Sequence, residues 1–96
     1  MNRRSRTRFK TDITVSLSCD EFKSYREKAR LADLSVHGLS IILKEKLPIG
    51  VVVKVEWGET SFDGELVYCQ SYGQEFLVGL KVEDPVYETA RKYVAQ

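Results

Sequence analysis

Apolar and polar residues alternate along much of this chain, and this alternation constrains its fold more than any other feature. In residues 13–19, Ile, Val, Leu and Cys alternate with Thr and Ser, which is typical of a strand with one buried face. Residues 51–57, 62–69 and 75–82 are rich in β-branched and aromatic residues, as strands are. Residues 39–43 form another short apolar stretch. Turn residues separate these stretches, which indicates a protein built mainly of short strands.

The stretch over residues 22–32 is the hardest to assign, because it has good helix formers but too few apolar residues for a helical stripe. We predict a strand over residues 23–32. Gly64 interrupts the fifth strand and predicts a β-bulge there. About six strands with turns at regular intervals predict a mostly β fold, a small six-stranded antiparallel β-barrel.

The C-terminal end of the chain predicts a short α-helix over residues 84–95. Asp84 is a favourable N-cap, and Pro85 suits the first helical position because no N–H is needed there. The apolar residues that follow at helical spacing are Val86, Tyr87, Ala90, Tyr93 and Val94. We therefore expect a single domain, with a basic arm at residues 1–10, a barrel at residues 11–83 and this closing helix.

Composition places the chain among ordinary globular domains, since 96 residues with 43% hydrophobic and 30% charged content are typical of one soluble domain. No apolar run approaches the roughly 18 residues that a membrane helix needs. The basic start is not followed by the apolar stretch of a secretory signal. Cys19 and Cys69 lack metal or redox spacing, so we expect two reduced, mostly buried thiols. These features favour a cytoplasmic protein without membrane insertion.

The net charge of +1 hides a strong asymmetry. Residues 1–10 carry four arginines, one lysine and no acid, which gives +5; the other 86 residues carry ten basic and fourteen acidic side chains, which gives −4. A basic arm on a mildly acidic body favours a compact anionic partner over a long polyanion. Because the arm is poor in apolar residues and repels itself, we expect it to be flexible without a ligand.

Two short motifs indicate the chemistry of that partner. The arm contains R-x-x-x-R as Arg4 and Arg8, whose guanidinium groups can bind phosphate through two parallel hydrogen bonds and stack on guanine. The second motif is D-x-S-x-x-G, formed by Asp33, Ser35 and Gly38. Its Asp and Ser can hydrogen-bond to base and ribose groups, and its Gly permits a positive φ or a close backbone approach to a ligand. Taken singly, each motif also fits a solvated tail or a plain turn.

The two motifs in this order, on a strand-rich chain of this length with a terminal helix, resemble the PilZ domain family. Residues 78–82 are similar to the family's V-G-x-x-F ending, with Val82 where phenylalanine is usual, a core change that we expect to leave ligand binding intact. The resemblance covers nearly the whole chain. It implies a PilZ-like barrel that binds the bacterial second messenger cyclic di-GMP, as one molecule or as a stacked pair.

The resemblance also implies a site and a role. The ligand-binding positions carried over are Arg4, Arg8, Asp33, Ser35 and Gly38, and additional contacts are expected from Arg3, Arg6 and His37. A dianionic ligand would order the arm over the barrel, and a downstream protein partner would respond to that change. The protein would then be a receptor in signal transduction and not an enzyme, with no cofactor besides this ligand.

Other functions fit the sequence less well. Asp33, Ser35 and His37 are spaced by two, so they would lie in a row and too far apart for a catalytic triad. One histidine and two distant cysteines are too few for a metal site. An arginine arm on a barrel with exposed aromatic residues can also bind single-stranded nucleic acid, although the acidic body disfavours it. A ligand-free interaction module with the same fold is the remaining alternative.

Overall fold

The fold is a closed barrel with one terminal helix. The computed structural model describes residues 13–19 and 25–95, and the side chains of residues 13–19 and 26–92. Arg3, Arg4, Arg6 and Arg8 therefore lie outside the described residues. The elements are β1 (Thr14–Cys19), β2 (Tyr25–Ser35), β3 (Gly38–Leu43), β4 (Val52–Trp57), β5 (Thr60–Tyr72), β6 (Glu75–Lys81) and α1 (Pro85–Ala95).

The strands follow the order β1-β2-β3-β6-β5-β4 around the barrel, and every neighbouring pair is antiparallel. Pairing of Leu17 on β1 with Val55 on β4 closes the ring. Because alternate side chains of a strand point to opposite faces, one set from each strand fills the interior. The core includes Val15, Leu17, Leu31, Ile41, Val53, Val55, Phe62, Leu66, Val78 and Leu80. The predicted six-stranded antiparallel barrel with a C-terminal helix is confirmed.

β2 is a strand despite its good helix formers, and it extends three residues beyond the predicted end at Ala32. Ala29 and Leu31 point into the core, so the few apolar residues of this stretch satisfy a strand's two-residue period. Pairing with β1 on one side and β3 on the other supplies its backbone hydrogen bonds. Tertiary pairing thus overrides local propensity here.

The predicted bulge at Gly64 is wrong. Gly64 pairs in regular register with Val53. It lacks a side chain for another reason: a Cβ there would approach the side chains of Val82 and Leu80 to 3.2 and 3.3 Å. Register shifts occur instead between Leu31 and Asp33 on β2, where it pairs with β3, and between Leu66 and Tyr68 on β5, where it pairs with β6.

The helix begins as predicted. The Val86 N–H donates to the Asp84 carboxylate at 2.9 Å, and the Tyr87 N–H donates to the Asp84 carbonyl oxygen at 2.9 Å. Of the expected apolar stripe, Tyr87 and Ala90 are buried and Val86 is exposed, whereas the side chains of Tyr93 and Val94 lie outside the described residues. Within residues 13–19 and 25–95, no helix has the length and apolar character needed to cross a bilayer.

The two cysteines agree with expectation, since both are free thiols, Cys19 buried and Cys69 partly buried.

Tyr87 attaches α1 to the barrel. Its ring packs edge-on against Phe62 with centroids 5.2 Å apart, and Phe62 packs in the same manner on Trp57. The Tyr87 hydroxyl donates to the Ser35 carbonyl oxygen at 2.7 Å and also lies within hydrogen-bond distance of the Gly38 carbonyl oxygen. The helix is therefore attached to the turn between β2 and β3.

We predict that Tyr87 makes folding stability sensitive to alkaline pH. Burial raises the pKa of Tyr87 from 10.0 to about 12, so the folded state favours the neutral phenol. Its contribution is complete below pH 10 and decreases as the pH rises through 10 to 12. Between pH 9 and pH 11.5, the wild type should lose roughly 1–2 kcal/mol more unfolding free energy than Tyr87→Phe.

Urea unfolding followed by the fluorescence of Trp57 measures this difference, and ionisation of the other tyrosines and the lysines cancels between the two proteins. Parallel pH profiles for wild type and Tyr87→Phe would contradict the assignment of the alkaline transition to this hydroxyl.

Candidate functional site

The D-x-S-x-x-G motif forms a β-hairpin end and not a loop. Asp33 and Ser35 are the last outward-facing residues of β2, Val36 and His37 make the two-residue turn, and Gly38 opens β3. The Asp33 carboxylate accepts a hydrogen bond from the Leu34 N–H at 2.8 Å. The Ser35 hydroxyl donates to the Gly38 carbonyl oxygen at 3.1 Å. Local hydrogen bonds therefore fix the backbone of this motif.

Strand register brings Asp33 into one row with residues from three other strands. Asp33 on β2 is opposite Ser40 on β3, Ser40 is opposite Gly79 on β6, and Gly79 is opposite Tyr68 on β5. Asp33 and Tyr68 are exposed and Ser40 is partly exposed, so this row lies on the outer surface of the barrel. We call it the Asp33 row.

A second outward row lies beside it, toward the end of the barrel that carries α1. It joins Ser35, Gly38, Lys81 and Glu65 across the same four strands. Between the two rows, four leucines point inward: Leu34, Leu39, Leu80 and Leu66. The side chains of Asp33 and Ser35 thus project to the same side, as their spacing predicts.

The two bulges determine which side chains of the Asp33 row face outward. On β2, Leu31 points into the core, and simple alternation would send Asp33 inward as well. The register shift between these residues turns Asp33 to the surface. On β5, the shift between Leu66 and Tyr68 does the same for Tyr68. The outward positions of Asp33 and Tyr68 therefore each depend on one extra residue in their strand.

Tyr68 lies across Gly79. A Cβ on Gly79 would overlap three ring atoms of Tyr68, so the aromatic ring occupies the space that a side chain would take. The Tyr68 hydroxyl and the Ser40 hydroxyl are 2.8 Å apart and share a hydrogen bond. Because Tyr68 remains 39% exposed, part of its ring is available for stacking.

Gly38 is required for strand packing. Of the two roles considered for this glycine, a positive φ or a close backbone approach, the first does not occur, since the described glycines with positive φ are Gly50, Gly58 and Gly73. A Cβ on Gly38 would overlap the carbonyl oxygen of Leu80 on β6. The close backbone approach at Gly38 is therefore to the neighbouring strand of the same protein.

The residues of the Asp33 row and of the row beside it, except Glu65, line a shallow groove of about 380 Å³. Asp33, Ser35, His37 and Gly38 lie on one side, and Tyr68 and Lys81 lie on the other. Among the described residues that line the groove, Lys81 carries the only positive charge, and its ammonium group is 3.6 Å from the Glu83 carboxylate. The described groove thus offers hydrogen-bonding groups and an aromatic surface but little unpaired positive charge.

Ile13, the residue before β1, lies beside the strand that carries the motif. The Leu31 N–H donates to the Ile13 carbonyl oxygen at 3.0 Å, and Leu31 precedes Asp33 by two residues on β2. Ile13 therefore lies near the motif end of β2, and the basic residues 1–10 precede it closely in sequence.

The groove does not assemble a hydrolytic triad. The Asp33 carboxylate and the Ser35 hydroxyl each bond to the backbone of their own hairpin. Among the hydrogen bonds of the described residues, none joins either side chain to His37. The described residues contain no cluster of three or more His, Cys, Asp or Glu side chains able to hold a metal ion.

Sequence reasoning identified the motif but not its neighbours Ser40, Tyr68 and Lys81. For Tyr68, the available signal was a change in the alternation of apolar residues along β5. The residues that point inward are even-numbered up to Leu66, and the next one is Cys69. This change marks a bulge, which turns Tyr68 outward. The hydrogen bonds of Tyr87 left no comparable signal, because its helical spacing indicates only a core residue.

One comparison with known proteins gave a match. The family model of the PilZ domain matches residues 2–96, which is nearly the whole chain. A search of curated proteins gave no match. The match includes the segment with the arginine pair, the hairpin motif and the final strand and helix. The chain therefore belongs to the PilZ domain family.

Proposed function

We propose that this protein is a receptor for cyclic di-GMP, which it binds in the groove beside the β2–β3 hairpin with its N-terminal arginines closing over the ligand. PilZ domains are generally cyclic di-GMP receptors, and they are binding or adaptor domains rather than enzymes. One observation carries the proposal for this chain: Asp33, Ser35 and Gly38 line a single outer groove, and the strand that carries Asp33 bonds through Leu31 to Ile13, which closely follows the basic residues 1–10 in sequence.

The hairpin side chains retain capacity to bind a guanine base and a ribose. The Asp33 carboxylate has two oxygens with about four acceptor sites, and the Leu34 N–H uses one of them. The remaining sites suit the N–H groups on the Watson–Crick edge of guanine. The Ser35 hydroxyl donates its proton to Gly38, so it is left to accept from a ribose hydroxyl.

The arginines supply the charge that the described groove lacks. Two ligand phosphates require cations, and Lys81 is already close to Glu83. Arg8 is five residues before Ile13 and Arg4 is nine residues before it. At about 3.3–3.6 Å per extended residue, these positions reach up to about 18 and about 32 Å from Ile13, so the arm would be long enough to fold over the groove. Arg3 and Arg6 add charge to the same segment.

Signalling would follow from ordering of the arm. Binding neutralises part of a segment that carries +5, so the ligand both attracts the arm and removes its self-repulsion. The closed arm would present a new surface to a downstream protein partner, and His37 at the hairpin turn would lie at the margin of that surface.

Calorimetric titration of the full chain tests the proposal. We expect saturable binding of cyclic di-GMP, and much weaker binding of cyclic di-AMP and GTP. Affinity should vary only modestly with salt, whereas single-stranded oligonucleotide binding would weaken steeply as salt displaces its phosphate contacts. No response to millimolar cyclic di-GMP would refute the receptor function, and tight, salt-sensitive oligonucleotide binding would favour the nucleic-acid alternative.

The arginine pair should be required for affinity. Arg4→Ala and Arg8→Ala should each weaken cyclic di-GMP binding by about tenfold or more, because a charged hydrogen bond typically contributes about 1.5–3 kcal/mol. Arg4→Lys and Arg8→Lys should restore only part of the loss, since lysine keeps the charge but lacks the planar fork.

A matched control for the arginine variants is Arg26→Ala, which removes the same charge from an exposed position on β2 seven residues before Asp33. Arg26→Ala should bind like the wild type. Equal losses in Arg4→Ala and Arg26→Ala would indicate a general charge effect and would count against specific contacts by the arm.

Tyr68 should stack on a base of the ligand. Tyr68→Ala should weaken binding of cyclic di-GMP at least fivefold, because an aromatic side chain stacked on a base typically contributes about 1–3 kcal/mol. Tyr68→Phe should stay within about twofold, since it keeps the ring and loses only the bond to Ser40. Tyr72→Ala, which removes an exposed ring further along β5, is the control. Wild-type affinity in Tyr68→Ala would exclude stacking at this position.

A further inference from the structure

The Tyr87 hydroxyl connects the helix to the backbone of the motif. It lies between the carbonyl oxygens of Ser35 and Gly38, although 52 and 49 residues separate it from them in sequence. The side chain is buried, and its ring is held edge-on against Phe62. The hydroxyl therefore has little freedom to move away from the hairpin.

These carbonyl groups belong to the two residues that face each other across the end of the hairpin. Ser35 and Gly38 are paired in register, and the Gly38 carbonyl oxygen also accepts from the Ser35 hydroxyl. The Tyr87 hydroxyl thus holds both peptide groups from the interior side of the hairpin. The Ser35 side chain lies on the other side and faces the groove.

A second bond ties the same turn to the chain just before the helix. The Val82 N–H donates to the His37 carbonyl oxygen at 2.9 Å. Asp84, which caps the helix through Val86, follows two residues later. The hairpin is therefore held at Ser35, His37 and Gly38 by one continuous segment that leads into α1.

We propose that Tyr87 is the positioning residue of the ligand-binding hairpin, and that its hydroxyl couples α1 energetically to occupancy of the groove. This inference rests on the proposed binding of cyclic di-GMP. Without the hydroxyl, the peptide groups of Ser35 and Gly38 lose their interior donor and the hairpin is less preorganised for the ligand. Because coupling between two sites is reciprocal, ligand that fixes the hairpin also stabilises the attachment of α1.

Calorimetry of the full-length Tyr87→Phe variant tests the positioning role. Its affinity for cyclic di-GMP should fall about three- to tenfold, although Tyr87 lies beneath the hairpin and not in the groove. Val53→Ala is the control, since it destabilises the core from β4, a strand that does not line the groove. Val53→Ala should bind with wild-type affinity at a temperature where both variants are folded by circular dichroism.

Amide hydrogen exchange tests the coupling. Cyclic di-GMP should slow exchange of the amides in residues 88–92 of the wild type, and this protection should largely disappear in Tyr87→Phe at saturating ligand. Wild-type affinity in Tyr87→Phe would overturn the positioning role, and unchanged helix exchange in the ligand-bound wild type would overturn the coupling. If the wild type itself does not bind cyclic di-GMP, the receptor function fails together with this inference.

Discussion

Closure of the barrel is the constraint on which the site depends. In a closed sheet each strand presents one set of side chains to the interior and the other to solvent, so a polar residue in the wrong phase would be buried in the core. β2 buries alternate residues up to Leu31, and β5 does so up to Leu66. Each strand then contains one extra residue. The insertions turn Asp33 and Tyr68 outward at the same level of the barrel. Two irregularities that weaken the ladders locally thereby create one surface.

The groove between Asp33 and Tyr68 exists because two positions, Gly38 and Gly79, lack side chains. Gly38 lets the backbone of β3 approach the Leu80 carbonyl oxygen, and Gly79 leaves space into which the Tyr68 ring settles. A methyl group at either position would force a backbone or a ring to move. The motif glycine is thus explained by packing between strands, and the absence of a side chain there also keeps the floor of the groove low.

The sequence predicted the strands well because burial on one face leaves a two-residue period, and it predicted the start of the helix because Asp84 and Pro85 have local roles. It predicted the hairpin residues through a short motif. It did not predict the bulges. Glycine is the residue that usually signals a bulge, which pointed to Gly64, whereas the inserted residues Ala32 and Val67 are ordinary apolar residues. Long-range pairs such as Ser40 with Tyr68 and Ser35 with Tyr87 leave no local pattern, so only the folded register brings them together.

Under the function that we propose, the recognition of bases is separated from the recognition of phosphate. The hairpin and Tyr68 provide polar groups and a ring on paired strands, where bonds to the backbone already fix the geometry of the hairpin. Positive charge is concentrated instead in residues 1–10, and Ile13, which follows them in sequence, accepts a hydrogen bond from the Leu31 N–H. A groove that itself carried this charge would also attract small phosphates that lack a base. Dividing the two would favour a ligand that offers both a base for the barrel and phosphates for the arm, and our proposals imply that such a ligand would change both the position of the arm and the support of the helix.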